Sequence, residues 1–152
     1  GVSSAASDVY KRQVFKGVSS SGNINWSQYI VTEFLKNVDI NAHIAKISVI
    51  YEDKARAMYN KMKECFHPSV EYTMPQGGMF IWAKLPDTVK ATDFCLDAAK
   101  NLRIAVVPGN DFFCGSPEDC SYIRLNFSKP SVEDIEYGIE KLGELTYKYC
   151  GK

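Results

Sequence analysis

Tyr122-Ile-Arg-Leu-Asn-Phe127 alternates apolar and polar residues with the two-residue period of a β-strand. Ile123, Leu125 and Phe127 fall on one face, and Tyr122, Arg124 and Asn126 on the other. The first face suits a core. The second presents a guanidinium in the middle of the strand, and its planar donor fork matches a carboxylate through two parallel charge-assisted hydrogen bonds. Locally the sequence leaves two other readings open: an arginine paired with an acid on a neighbouring element, or one facing water from the sheet.

The surrounding sequence supplies partners for such a strand. Downstream, Ser131-Val-Glu-Asp134 forms a capping box that opens a helix with Val132, Ile135, Ile139, Leu142 and Leu145 inward. Upstream, Ile104 to Val107 reads as a short strand stopped by Pro108-Gly109. Thr92 to Leu102 reads as a helix burying Phe94, Cys95, Ala98, Ala99 and Leu102. Val70 to Met74 and Met79 to Leu85 read as strands joined by Pro75-Gln-Gly-Gly78. Before them, Ile44, Ile47, Tyr51, Ala55, Met58, Met62 and Phe66 repeat at three- and four-residue steps, which predicts an amphipathic helix from Ile40 to Phe66 ended by His67-Pro68. At about 40 Å it is longer than a small domain requires and is expected to tie this domain to a larger body. Trp26 to Leu35 is a shorter helix after a Ser/Gly/Asn loop. The order predicts an α+β fold, with a long N-terminal helix and further helices on one face of a small, mostly antiparallel sheet.

Composition narrows the function classes. The 152 residues are 45% hydrophobic and 24% charged, enough for one domain with a core. The 18 basic and 18 acidic residues cancel, giving no general attraction to nucleic acid or anionic membranes. No apolar run approaches the roughly 18–20 residues of a membrane span. Cys65, Cys95, Cys114, Cys120 and Cys150 show no CxxC spacing and no histidine cluster, so free thiols in a reducing cytosol are expected and zinc is not. Residues 1–13 lack an apolar period and resemble translated sequencing-adaptor read-through, so they are read as non-native or disordered.

Other candidates carry bland alternatives. Gly77-Gly78 and Pro108-Gly109 read as plain turns, or as places where backbone comes close to a ligand or a second element. Lys129, beside Ser128, could be an aldehyde-binding amine only if desolvated, and its turn-like setting before Pro130 reads as exposed. His43 and His67 have no nucleophile motif beside them.

Four landmarks in order resemble the C-terminal portion of fold-type I pyridoxal-phosphate enzymes, the class I/II aminotransferases, with the flavour of the 2-aminoadipate and aromatic subgroup. They are Pro75-Gln-Gly-Gly-Met-Phe-Ile-Trp82 with Leu85-Pro86, Arg103-Ile-Ala-Val-Val-Pro-Gly109 with Phe112-Phe113, Ile123-Arg-Leu-Asn-Phe-Ser128, and the capped helix from Ser131. The resemblance implies residues 14–39 as a remnant of a large cofactor-binding domain and 40–152 as the small C-terminal domain. It implies Arg124 as the clamp for the substrate α-carboxylate, and a segment at Gly77-Gly78 bordering the active-site entrance. It further implies pyridoxal 5'-phosphate as cofactor, amino-acid and 2-oxo-acid substrates, and a cytoplasmic homodimer. The family's Schiff-base lysine is expected upstream of Lys16, so the chain on its own is expected to be inactive. The same resemblance admits two alternatives: the effector domain of an aminotransferase-like transcription regulator with an N-terminal winged helix, and a pyridoxal-phosphate-dependent lyase.

Overall fold

A computed structural model describes residues 25–115 and 120–151, so the expectations for residues 1–24 lie outside the described part. The chain divides into two compact units, residues 1–44 and 45–152. In the first, helix α1 (Asn25–Asn37) is followed by the start of helix α2 (Ile40–Cys65). Asp39 caps α2, its Oδ1 accepting from the Asn41 and Ala42 N–H groups at 2.9 and 3.2 Å. The apolar stripe is uncovered at this end, where Ile44 is 49% exposed. Periodicity marks an apolar face but does not supply a surface to cover it.

In the second unit, burial on α2 begins at Ala55 and continues through Met58 and Met62 to Phe66. Strands β1 (Glu71–Tyr72), β2 (Phe80–Lys84), β3 (Val107–Pro108) and β4 (Tyr122–Asn126) form an antiparallel sheet in the order β1-β2-β4-β3. Ile81 and Ala83 of β2, with Ile123 and Leu125 of β4, turn to one face. There they join Ala55, Met58 and Met62 of α2, Phe94 of α3 (Ala91–Asp97), and Ile135, Ile139 and Leu142 of α4 (Val132–Cys150) in a single core. Phe94 and Phe127 are almost wholly buried, each contributing roughly 1.5–3 kcal/mol. The sheet therefore has a covered face and an open one, and alternation sends Arg124 to the open one.

The capping box forms as expected: the Asp134 N–H donates to Ser131 Oγ at 3.1 Å, and the Ser131 N–H donates to Asp134 Oδ2 at 3.4 Å. Helix α4 then packs on the last turn of α2. Buried Thr146 accepts from the His67 N–H at 2.9 Å and donates to the Gly143 carbonyl at 2.6 Å, so its hydroxyl is satisfied in both roles.

Two expectations are corrected. The helix read over Thr92–Leu102 is α-helical only to Asp97 and continues as a π turn, Ala98–Leu102. The wider turn changes the phase, keeping Ala98 buried and leaving Ala99 exposed. The strand read over Ile104–Val107 shrinks to Val107–Pro108, because Arg103 ends the π turn with φ 58° and the Ile104 N–H donates back to the Ala98 carbonyl at 3.2 Å. That donor is lost to the sheet ladder. Pro108 is tolerated because β3 is an edge strand.

Candidate functional site

Strand β4 lies between β2 and β3, with Arg124 opposite Trp82 on one side and Val107 on the other. A residue paired on both flanks has a fixed backbone, which is what a precise ligand contact requires. Phe80, two residues along β2 from Trp82, sits diagonally across from Arg124 on the same face. A 3-10 turn, Gly109–Phe112, folds over from the edge strand.

These pieces converge on the guanidinium. Arg124 Cζ lies 4.2 Å from the ring centroid of Phe80 and 4.3 Å from that of Phe112. Both are cation–π contacts, worth roughly 0.5–2 kcal/mol each depending on solvation. Beyond them, Trp82 stacks on Tyr122 at 5.7 Å, and Phe112 and Phe113 pack on Trp82 at 5.7 and 6.1 Å. No carboxylate or carbonyl among the described residues accepts a hydrogen bond from the Arg124 side chain. The local alternative of an arginine paired with an acid is therefore not what the described residues provide. A half-buried cation with no acceptor among the described residues can bind an anion.

The other candidates resolve into simpler roles. Gly78 takes φ +82°, and a Cβ on Gly77 or Gly78 would meet no protein atom within 4 Å, so no second element comes close to this turn. Both glycines line a cavity of about 520 Å³ with Tyr51, Ala55, Met74 and Phe127, and Arg124 is not part of it. Gly109 is the opposite case, since a Cβ there would stand 2.8 Å from Tyr122 Cβ and 2.9 Å from the Tyr122 carbonyl oxygen. Lys129 is exposed, and the neighbouring Ser128 carbonyl accepts from Lys54 Nζ at 3.0 Å. His67 Nδ1 contacts Ser69 Oγ at 2.7 Å within a turn, and His43 lies edge-on to Phe34. All five cysteines are free thiols. Burial, and then neighbouring Cys120, pushes the Cys95 thiol up to about 12.

Away from the open face, Asp97 gathers Lys148 Nζ at 2.8 Å and Tyr149 Oη at 3.1 Å, with Asn101 beside it. The Lys148 and Asn101 hydrogen bonds hold its carboxyl below the usual carboxylate range. This ties the π turn to α4.

Phe80 and Phe112 are the residues that reasoning from sequence left without a role. Both stand in the quoted landmarks, but only strand register and the 3-10 turn bring them to Arg124.

A family model described as aminotransferase class I and II matches residues 6–142. The aromatic-amino-acid aminotransferase 1 of Thermococcus litoralis is 34% identical over 119 residues, covering 78% of this chain and 28% of that protein. The α-aminoadipate aminotransferase LysN of Thermus thermophilus, solved with N-(5'-phosphopyridoxyl)-L-leucine, superposes with a TM-score of 0.83 at 26% identity, over 96% of this chain and 37% of that one. The HTH-type transcriptional regulator NorG of Staphylococcus aureus is 29% identical over 126 residues, covering 83% of this chain and 27% of that protein. The chain thus spans about a third or less of the length of the curated relatives it matches. None of the described lysines is buried, whereas a Schiff-base lysine acts from a desolvated site.

Proposed function

The chain belongs to the class I and II aminotransferases, and on that premise we propose that it is the C-terminal portion of an enzyme moving an amino group from an amino acid to a 2-oxo acid. In this reading residues 40–152 are the small domain and 14–39 a remnant of the large one. Pyridoxal 5'-phosphate is held by other parts of the protein and supplies the electron sink. The present residues contribute the clamp: Arg124 receives the substrate α-carboxylate through two parallel N–H···O bonds and so fixes the orientation of the bond to be broken at Cα.

The observation that carries this reading is the state of Arg124. It stands on the open face of a sheet, on a strand paired on both sides, flanked by two rings and with no acid partner among the described residues. The whole protein is further proposed to be a cytoplasmic homodimer. Among the described residues no helix is long and apolar enough to cross a membrane. The test is to load the full-length protein with cofactor and measure amino-group transfer to 2-oxoglutarate from L-phenylalanine and from L-2-aminoadipate. Transfer from at least one donor is expected.

The match to NorG supports a second reading, in which the same domain is the effector module of a transcription regulator. There Arg124 would hold an amino-acid effector. A full-length protein that binds DNA through an upstream winged helix and shows no transfer would favour it.

A further inference from the structure

The carboxylate reading of Arg124 leaves open how a guanidinium with no acid partner among the described residues keeps one orientation on an open sheet face. A free arginine side chain samples many rotamers, and ordering it on binding costs affinity. Here two rings, from different elements, approach Cζ at 4.2 and 4.3 Å. Aromatic faces attract the cation and shed its water, yet they accept none of its five N–H donors in the manner of a carboxylate. The charge is thereby partly desolvated without meeting an acid among the described residues, which strengthens its hold on an anion that it receives.

The second ring owes its place to Gly109. The 3-10 turn that carries Phe112 leans against the start of β4 so closely that a Cβ at Gly109 would lie 2.8 Å from Tyr122 Cβ and 3.0 Å from Cys120 Sγ. Gly109 does not have positive φ, so contact distance and not backbone conformation selects glycine there. The sequence from 109 to 112 is thus a short arm, pinned at one end on β4 and placing its ring on Arg124 at the other.

We infer, resting on the carboxylate reading of Arg124, that Phe80 and Phe112 are positioning residues that make this site selective for planar carboxylates over tetrahedral oxyanions. With both ring centroids within 4.3 Å of Cζ, the rings narrow the space around the guanidinium in which an anion must fit. A carboxylate meets the guanidinium with both oxygens in one plane. A phosphonate carries a third oxygen out of the plane, toward a ring.

The experiment is calorimetric titration of the full-length, cofactor-loaded protein with 3-phenylpropionate and with 2-phenylethylphosphonate, which share a side chain and differ in the anion. The wild type is expected to bind the carboxylate at least about tenfold more tightly. Phe80→Leu and Phe112→Leu, which keep apolar volume but remove the ring, are expected to weaken the carboxylate about three- to tenfold each and to narrow the preference. Phe112→Tyr is expected to retain both. Gly109→Ala, which moves the arm and leaves the ring chemistry intact, is expected to behave like Phe112→Leu. The cofactor's absorbance reports that each variant is folded. Leucine variants with wild-type affinity and wild-type preference, alongside an Arg124→Ala variant that loses the carboxylate, would overturn the positioning role and leave the clamp standing. An Arg124→Ala variant that binds 3-phenylpropionate normally would instead overturn the clamp on which the inference rests.

Discussion

Helix α4 contains two glycines whose substitution by alanine should act in opposite directions. In a helix interior, alanine is favoured over glycine by roughly 0.5–1 kcal/mol on backbone entropy. At Gly138 a new Cβ would meet only Ile104 Cδ1, at 3.9 Å, an ordinary contact. Gly138→Ala should therefore show the propensity gain alone. At Gly143 the Cβ would stand 2.6 Å from the Cys65 carbonyl oxygen, 2.7 Å from Cys65 Cβ and 2.9 Å from its carbonyl carbon. Two of these three atoms are backbone at the last residue of α2, so no side-chain rotation relieves the overlap. The helices must separate by several tenths of an ångström, straining the Thr146 bridge to the His67 N–H. Overpacking of this kind costs about 1–3 kcal/mol against the propensity gain of roughly 0.5–1 kcal/mol, which leaves a net loss of up to about 2.5 kcal/mol. Followed by circular dichroism at 222 nm, thermal unfolding of the 152-residue chain should shift down on the order of 5 °C for Gly143→Ala and up by a few degrees for Gly138→Ala. If both variants shifted the same way, the α2–α4 contact described above would be wrong.

Other perturbations probe other contacts. Asp97→Asn should destabilise the protein at neutral pH. The depressed carboxyl contributes stability above its unfolded-state pKa of about 3.9 and loses it as pH falls through the lower folded value, so wild-type and variant stabilities should converge in acid. Urea titrations between pH 2 and pH 7 would check this, and a gap that stays constant with pH would contradict it. With iodoacetamide at pH 8, exposed Cys114 should be labelled in the folded protein. Buried Cys95, whose thiol is pushed up to about 12, should react only after unfolding. Peptide mass mapping distinguishes the two, and rapid labelling of Cys95 in the native state would refute the burial.

Local signals made part of this fold legible in the sequence. Alternation in 122–127 assigned faces to every residue of β4, and the Ser131–Asp134 spacing set the start of α4, because both depend on neighbours within a few residues. The stop at His67-Pro68 was legible for the same reason. What failed depended on hydrogen bonds chosen elsewhere. Ile104 could not be known to spend its N–H on Ala98, and without that the run to Val107 reads as a full strand. The exposure of Ile44 shows the same limit on α2, where a period reveals a stripe and not its cover.

The candidate site divides likewise. Arg124 stood out as a cation at the centre of a strand. Its ring partners did not, because Phe80 reaches it through strand register and Phe112 through a turn pinned at Gly109. Neither relationship has a sequence spacing of its own.

The central claim is that Arg124 clamps a substrate carboxylate through two donors. The direct test is the dissociation constant of L-phenylalanine or L-2-aminoadipate, read from the cofactor's absorbance, in the full-length protein and its Arg124→Lys variant. Lysine keeps the charge but loses the fork, and with it one charge-assisted bond of roughly 1.5–3 kcal/mol, so affinity should fall about ten- to a hundredfold while the absorbance of the unliganded protein stays unchanged. An Arg124→Lys protein with wild-type affinity and wild-type transfer rate would contradict the claim.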